Sequence, residues 1–135
     1  APLFFFTHTT ASEIRLSLVG SEMCIRDRHN AFPRASTLGI TDGDRGSWIQ
    51  ENGGNIFHQP AYQIAEIIDT TGCGDVYHGA FLSGYLKGGS LKENAKKASA
   101  AGALNAKKVG GRGNLCDENK IKDFLRTAEE ISFKL

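Results

Sequence analysis

The chain has 135 residues, enough for one small domain and too few for two domains with separate cores. Charged residues make up 23% of it, and 16 Lys and Arg stand against 15 Asp and Glu. That balance excludes an acidic or basic tail and gives no electrostatic case for nucleic acid or an anionic membrane as the partner. Cys24, Cys73 and Cys116 are isolated and odd in number, which suggests neither a disulfide framework nor a CxxC metal knuckle and makes a reducing, cytoplasmic setting the default. The apolar block at 3–6 is far shorter than the roughly 20 residues of a membrane helix and lacks the basic flank of a secretory signal.

Residues 1–28 do not read like the rest. Three consecutive phenylalanines and the run from Ser17 to Arg28 carry no sustained period of 2 or 3.6 that leads into a turn. The run at 17–28 also resembles a translated adaptor sequence found at the ends of unrelated proteins. The segment is therefore expected to be artefactual or disordered, and the fold is expected to reside in residues 29–135.

From there the elements follow in order. Ser36–Thr41 is short and contains β-branched residues, and it stops at the turn-forming run Asp42-Gly-Asp-Arg-Gly46. Ser47–Gln50 resumes as a strand, Asn52-Gly53 suits a tight hairpin, and Asn55–His58 returns as its partner before Pro60 limits further pairing. A further strand is expected over Gln63–Ile68. The pattern then becomes helical. Val76–Leu86 is apolar or small around most of its circumference, which predicts a helix inside a packed layer with Tyr77, Phe81 and Tyr85 in the core, as is Trp48. Ser90 followed by Glu93 forms a capping box that starts a second helix at Leu91, rich in closely spaced alanines. A third helix, capped by Asp117, is expected from Glu118 to Ile131. Strands followed by two or three helices predict an α/β fold.

One segment points to chemistry. Asp69-Thr-Thr-Gly-Cys-Gly-Asp75 follows a strand-like run and opens into the apolar helix. Gly72 and Gly74 would let the backbone turn closely, and unpaired amides at the helix start attract phosphate or a developing anion. A carboxylate beside a phosphate site repels the ligand, but Asp75 has a use there if it takes the proton of a hydroxyl that attacks phosphorus. The competing reading is an ordinary turn with Asp75 as a helix cap. The segment is neither the GxxxxGK[ST] phosphate loop nor the GxGxxG dinucleotide loop.

The run Asp69-Thr-Thr-Gly-Cys-Gly-Asp-Val-Tyr-His-Gly-Ala-Phe81 resembles the C-terminal signature of the ribokinase-like (PfkB-type) carbohydrate kinases, usually DTTGAGDxFxGAF. The resemblance extends from about Ser36 to Leu125. Thr41-Asp-Gly-Asp-Arg-Gly46 is similar to the family's T-x-G-x-x-G turn, and Ala98–Gly113 to the small-residue helix and glycine-rich return that close the nucleotide site. It implies the C-terminal part of a three-layer α/β/α sandwich and an ATP-dependent phosphotransferase for a sugar or related small alcohol. It further implies Mg²⁺ with ATP, a K⁺ option, a homodimer option for the full-length protein, and no nucleic-acid or membrane partner.

Carried over by position, Asp75 matches the general base, and Gly72, Cys73 and Gly74 the backbone anion hole. Asp42, Gly43, Gly46 and Asn105 match the cofactor-binding set, and Asp69, Thr71, Lys108, Gly110 and Asn114 resemble the surroundings of a monovalent cation. Cys73 replaces the usual alanine; it reads as a small filler, with a reactive thiol at a helix N-terminus as the alternative. His78 reads as a satisfied helix histidine, and His29 and His58 lack zinc-ligand spacing. Lys107, Lys108 and Arg112 either touch nucleotide phosphate or solvate a helix end, and Lys92, Lys96 and Lys97 read as a solvated face. The family's N-terminal sugar-binding region has no counterpart in residues 1–35, so this chain is expected to be incomplete and inactive alone. The rival reading is a nonenzymatic nucleotide-binding or regulatory remnant.

Overall fold

The computed structural model describes residues 3–7, 25, 30, 32–51 and 54–132. Four strands, β1 (Leu3–Thr7), β2 (Thr37–Thr41), β3 (Ser47–Glu51) and β4 (Ile56–Gln59), form one sheet in sequence order. β1 runs parallel to β2, and β2, β3 and β4 are successively antiparallel. Three helices follow: α1 (Cys73–Leu86), α2 (Leu91–Asn105) and α3 (Glu118–Leu125). β1 lies inside the segment set aside on sequence pattern, and Ile25 of that segment is fully buried. His29, Cys24 and the Asn52-Gly53 pair lie outside the described residues.

Alternation along the strands sorts side chains onto two faces. Ile40 lies opposite Trp48, and with Leu38 they pack against Ile25 and Ala35 on one face. On the other face Ile49 meets Tyr77 and Phe81 of α1 and Ala95 and Ala98 of α2. A buried hydrogen bond between Ser47 Oγ and Tyr77 Oη, 2.8 Å, fixes α1 to β3. The alanines bring α2 close to α1, and Asn94, 1% exposed, fits beneath Gly84 and Gly89 and donates through Nδ2 to the Gly89 carbonyl at 2.9 Å.

The two predicted caps are present: Ser90 Oγ accepts from Glu93 N, and Asp117 Oδ1 from Lys120 N. Three elements differ from expectation. Gln63–Ile68 is not a strand; its isoleucines do not alternate, Ile67 and Ile68 are exposed, and only a bridge joins Tyr62 to Glu130. α3 ends at Leu125 because the chain beyond it turns back to pair with residues 61–63: Gln63 N donates to Glu129 O and Ile131 N to Ala61 O. α1 begins three residues earlier than Val76 and is not enclosed all round, since Leu82 and Leu86 are exposed.

Candidate active site

The early start of α1 puts Cys73, Gly74 and Asp75 on its first turn, with Gly72 as the residue before it. Gly72 takes φ +74°, a left-handed conformation that side chains disfavour. It also lies so close to the return loop that an added Cβ would stand 2.5 Å from Gly111 Cα. The motif is thus built by two glycines in backbone contact. Cys73 N donates to Thr70 O at 3.2 Å, whereas no partner for the amides of Gly74 and Asp75 occurs among the described residues. Those two N–H groups are what the first turn offers an anion, and the Asp75 side chain beside them is exposed.

Asp69 anchors the start of the loop. Its Oδ1 accepts from Thr71 N and its Oδ2 from Gly110 N, both at 2.8 Å. A hydrogen bond from the Thr71 side chain foremost, then these bonds from the Gly110 and Thr71 backbone, hold its carboxyl below the ordinary value of 3.8. Asn105 is fully buried; its Nδ2 donates to Thr71 O at 3.3 Å and its Oδ1 accepts from Asn114 N at 3.4 Å. Asn114 in turn donates through Nδ2 to Leu104 O at 2.7 Å. Asn105 Nδ2 also reaches Cys73 Sγ at 3.8 Å, so the thiol sits within the clasp. Lys108 is exposed, and the carbonyl of Gly110 accepts from Gly113 N. The five residues expected around a cation therefore do come together, Lys108 at the margin, in a web of hydrogen bonds with Asn105 at its centre.

Asp75 lines a cleft of about 900 Å³ between α1, α2 and the 111–118 segment, together with Gly79, Ser83, Lys97, Arg112 and Cys116. The Lys87–Glu118 ion pair, 2.7 Å and exposed, stands among the lining residues. His78, half-buried on the following turn, is held below its ordinary 6.5 by burial, with the Asp75 charge acting in the opposite direction. Burial pushes the Cys116 thiol up.

The turn after β2 is a separate structure, and none of Asp42, Gly43 or Gly46 lines the cleft. Asp42 is buried and paired with Arg45 at 2.9 Å, and its N–H donates to Gly46 O. Gly46, at φ +92°, abuts the backbone of residues 59–61, whereas Gly43, at φ +56°, is exposed with open space around it. The Thr41 hydroxyl is buried with no partner among the described residues. Sequence reasoning named Asn105 without its buried clasp, and it missed two further polar side chains buried in α2: Asn94, and Ser99, which donates to Pro60 O at 3.0 Å. An asparagine followed by alanine within an alanine-rich helix, as at Asn94 and Asn105, was the available signal.

Residues 16–118 match the pfkB family of carbohydrate kinases, and the chain belongs to that family. An uncharacterized sugar kinase of Archaeoglobus fulgidus is 33% identical over 94 residues, covering 66% of this chain and 37% of that protein. The nucleoside kinase of Methanocaldococcus jannaschii, an archaeal member of the ribokinase family, superposes with a TM-score of 0.73 at 25% identity over 92% of this chain and 39% of its own. Arabidopsis thaliana ribokinase complexed with ribose and ATP shares the fold with a TM-score of 0.67 at 23% identity, over 87% of this chain and 35% of its own. The chain thus spans less than two fifths of the length of each of these proteins. Among the described residues no helix is long and apolar enough to cross a membrane.

Proposed function

We propose that residues 29–135 form the nucleotide-side, C-terminal part of an ATP-dependent kinase for a sugar or related small alcohol, with Asp75 as its general base. The observation that carries this reading is the exposed Asp75 carboxylate on the same helical turn as the unpartnered amides of Gly74 and Asp75. In the step envisaged, the acceptor hydroxyl oxygen bonds to the γ-phosphorus of ATP, and the bond from that phosphorus to the bridging oxygen breaks to leave ADP. Asp75 takes the hydroxyl proton, and within the Gly72-Cys73-Gly74-Asp75 turn the unpartnered amides of Gly74 and Asp75 hold the transferring phosphoryl oxygens. Magnesium enters with the nucleotide as part of the substrate. Asp42, Gly43 and Gly46 face the nucleotide in this reading, with Gly43 the residue whose open surroundings suit close approach. ATP binding is supported by the kinase family match and by the ATP bound to the Arabidopsis ribokinase.

Positioning an acceptor in line with ATP requires groups beyond this chain, so the 135-residue chain alone is proposed to be inactive. The test is steady-state kinetics of the full-length enzyme. Asp75→Asn removes the basic carboxylate and keeps the shape, so turnover should fall roughly 10²- to 10⁴-fold while ATP affinity changes little. Cys73→Ala should retain most activity. Near-normal turnover for Asp75→Asn rejects Asp75 as the base. Absence of turnover in the full-length parent on any sugar or nucleoside, with ATP binding retained, favours the nonenzymatic remnant.

A further inference from the structure

We infer that the two loops of this site are locked together by the side-chain amide of Asn105 and by backbone N–H groups rather than by a monovalent cation, and that Asn105 is a positioning residue for the anion hole. The inference rests on the kinase reading for its functional meaning, but its geometry stands apart from turnover. A cation site needs several oxygens whose lone pairs converge on one point. Here the relevant oxygens face donors: Asp69 Oδ1 faces Thr71 N, Asp69 Oδ2 faces Gly110 N, and the Thr71 carbonyl faces Asn105 Nδ2.

The rest of the set agrees. Ala106 O accepts from both Ile68 N and Asp69 N, and Gly110 O is engaged by Gly113 N. The Lys108 side chain brings a positive charge, and its backbone N–H occupies the Asn105 carbonyl at 3.2 Å. Asn105 is 0% exposed, so its amide cannot trade these partners for water, and leaving them unmade would cost the full desolvation of the group. An N–H hydrogen carries the positive end of a dipole; the Asn105 amide therefore supplies at Thr71 O the attraction that an ion would otherwise supply. The carbonyl it holds lies one residue before Gly72, so the orientation of the first turn of α1 follows from it.

The experiment compares the 135-residue chain and its Asn105→Asp variant in potassium, sodium and tetramethylammonium chloride at matched ionic strength. Thermal midpoint and amide exchange at Thr71, Gly110 and Asn114 are the readouts. The parent should show the same midpoint and protection in all three salts. Asn105→Asp keeps the size and the acceptor oxygen and replaces the donor by an oxygen. Exchange at Asn114 and Gly110 should rise roughly 10-fold, and potassium should now raise the midpoint. A potassium-specific rise in the parent overturns the inference, as does an Asn105→Asp chain with unchanged exchange or no response to potassium. If that variant fails to fold, the parent's response to the three salts still decides. No measurement uses nucleotide or turnover, so the result stands whatever Asp75→Asn does.

Discussion

Gly72 and Gly111 touch through their backbones: a Cβ on Gly72 would stand 2.5 Å from Gly111 Cα and 2.7 Å from its carbonyl oxygen. Gly72 also has φ +74°. Gly72→Ala should therefore combine the left-handed penalty of about 1–2 kcal/mol with displacement of one loop from the other. Gly74, two residues on, has open space at its Cβ position and no positive φ. Gly74→Ala should stay within about 1 kcal/mol of the parent and can stabilise the helix turn. Urea unfolding of both variants checks this; equal midpoints would mean that the glycine contact does not constrain the loop.

The Asp69 carboxylate gives the site an acid limit. Hydrogen bonds from Thr71 and Gly110 lower its folded pKa below the ordinary 3.8. A depressed carboxyl contributes stability that is present above the unfolded value and lost as pH falls through the folded one. The Gly110 amide resonance should thus titrate with a midpoint below 3.8, and Asp69→Asn should abolish that transition. A Gly110 midpoint at or above the ordinary value would refute the bond.

Tyr77 sets the opposite limit. Burial pushes its phenol up to about 12, against which the hydrogen bond with Ser47 acts to lower it. A phenol whose folded pKa exceeds the unfolded value of 10 contributes stability that is fully present below pH 10 and lost as pH rises through 12. Two units correspond to about 2–3 kcal/mol. Tyr77→Phe should flatten the alkaline arm of a stability-versus-pH curve in part, because Tyr62 is pushed up to about 12 as well. An unchanged alkaline arm in Tyr77→Phe would show that the α1–β3 contact does not report on folding.

What was legible in the sequence was local. Ser90 with Glu93, and Asp117 with Lys120, are satisfied within three residues, so their hydrogen bonds follow from spacing alone. The strands around the 42–46 turn were legible for the same reason, and Gly72 announced a close approach without naming its partner. Asn94 and Ser99 sit in a run of alanines that hides them, Asn105 stood out only through the family resemblance, and Ser99 and Asn105 find partners 39 and 34 residues away. The misread strand at 63–68 and the overlong third helix share one cause. Both depended on what residues 61–63 pair with, and that proved to be the chain just beyond α3.

One face of α1 holds the fold together. Its sequence is apolar nearly all round, and read alone it assigns Phe81, Leu82 and Leu86 to one enclosed layer. In the structure Phe81 is 0% exposed and packs with Ile49, Tyr77, Ala95 and Ala98, whereas Leu86 is 76% exposed. Truncating a buried phenylalanine removes its transfer free energy and leaves a cavity, so Phe81→Ala should cost about 3–5 kcal/mol. That is a large share of what a domain of this size possesses. Leu86→Ala removes surface that is already mostly in water and should change stability by less than about 0.5 kcal/mol. Denaturant titration of the 135-residue chain separates the two. Comparable losses for Phe81→Ala and Leu86→Ala would mean that α1 is enclosed in this chain and has no open face.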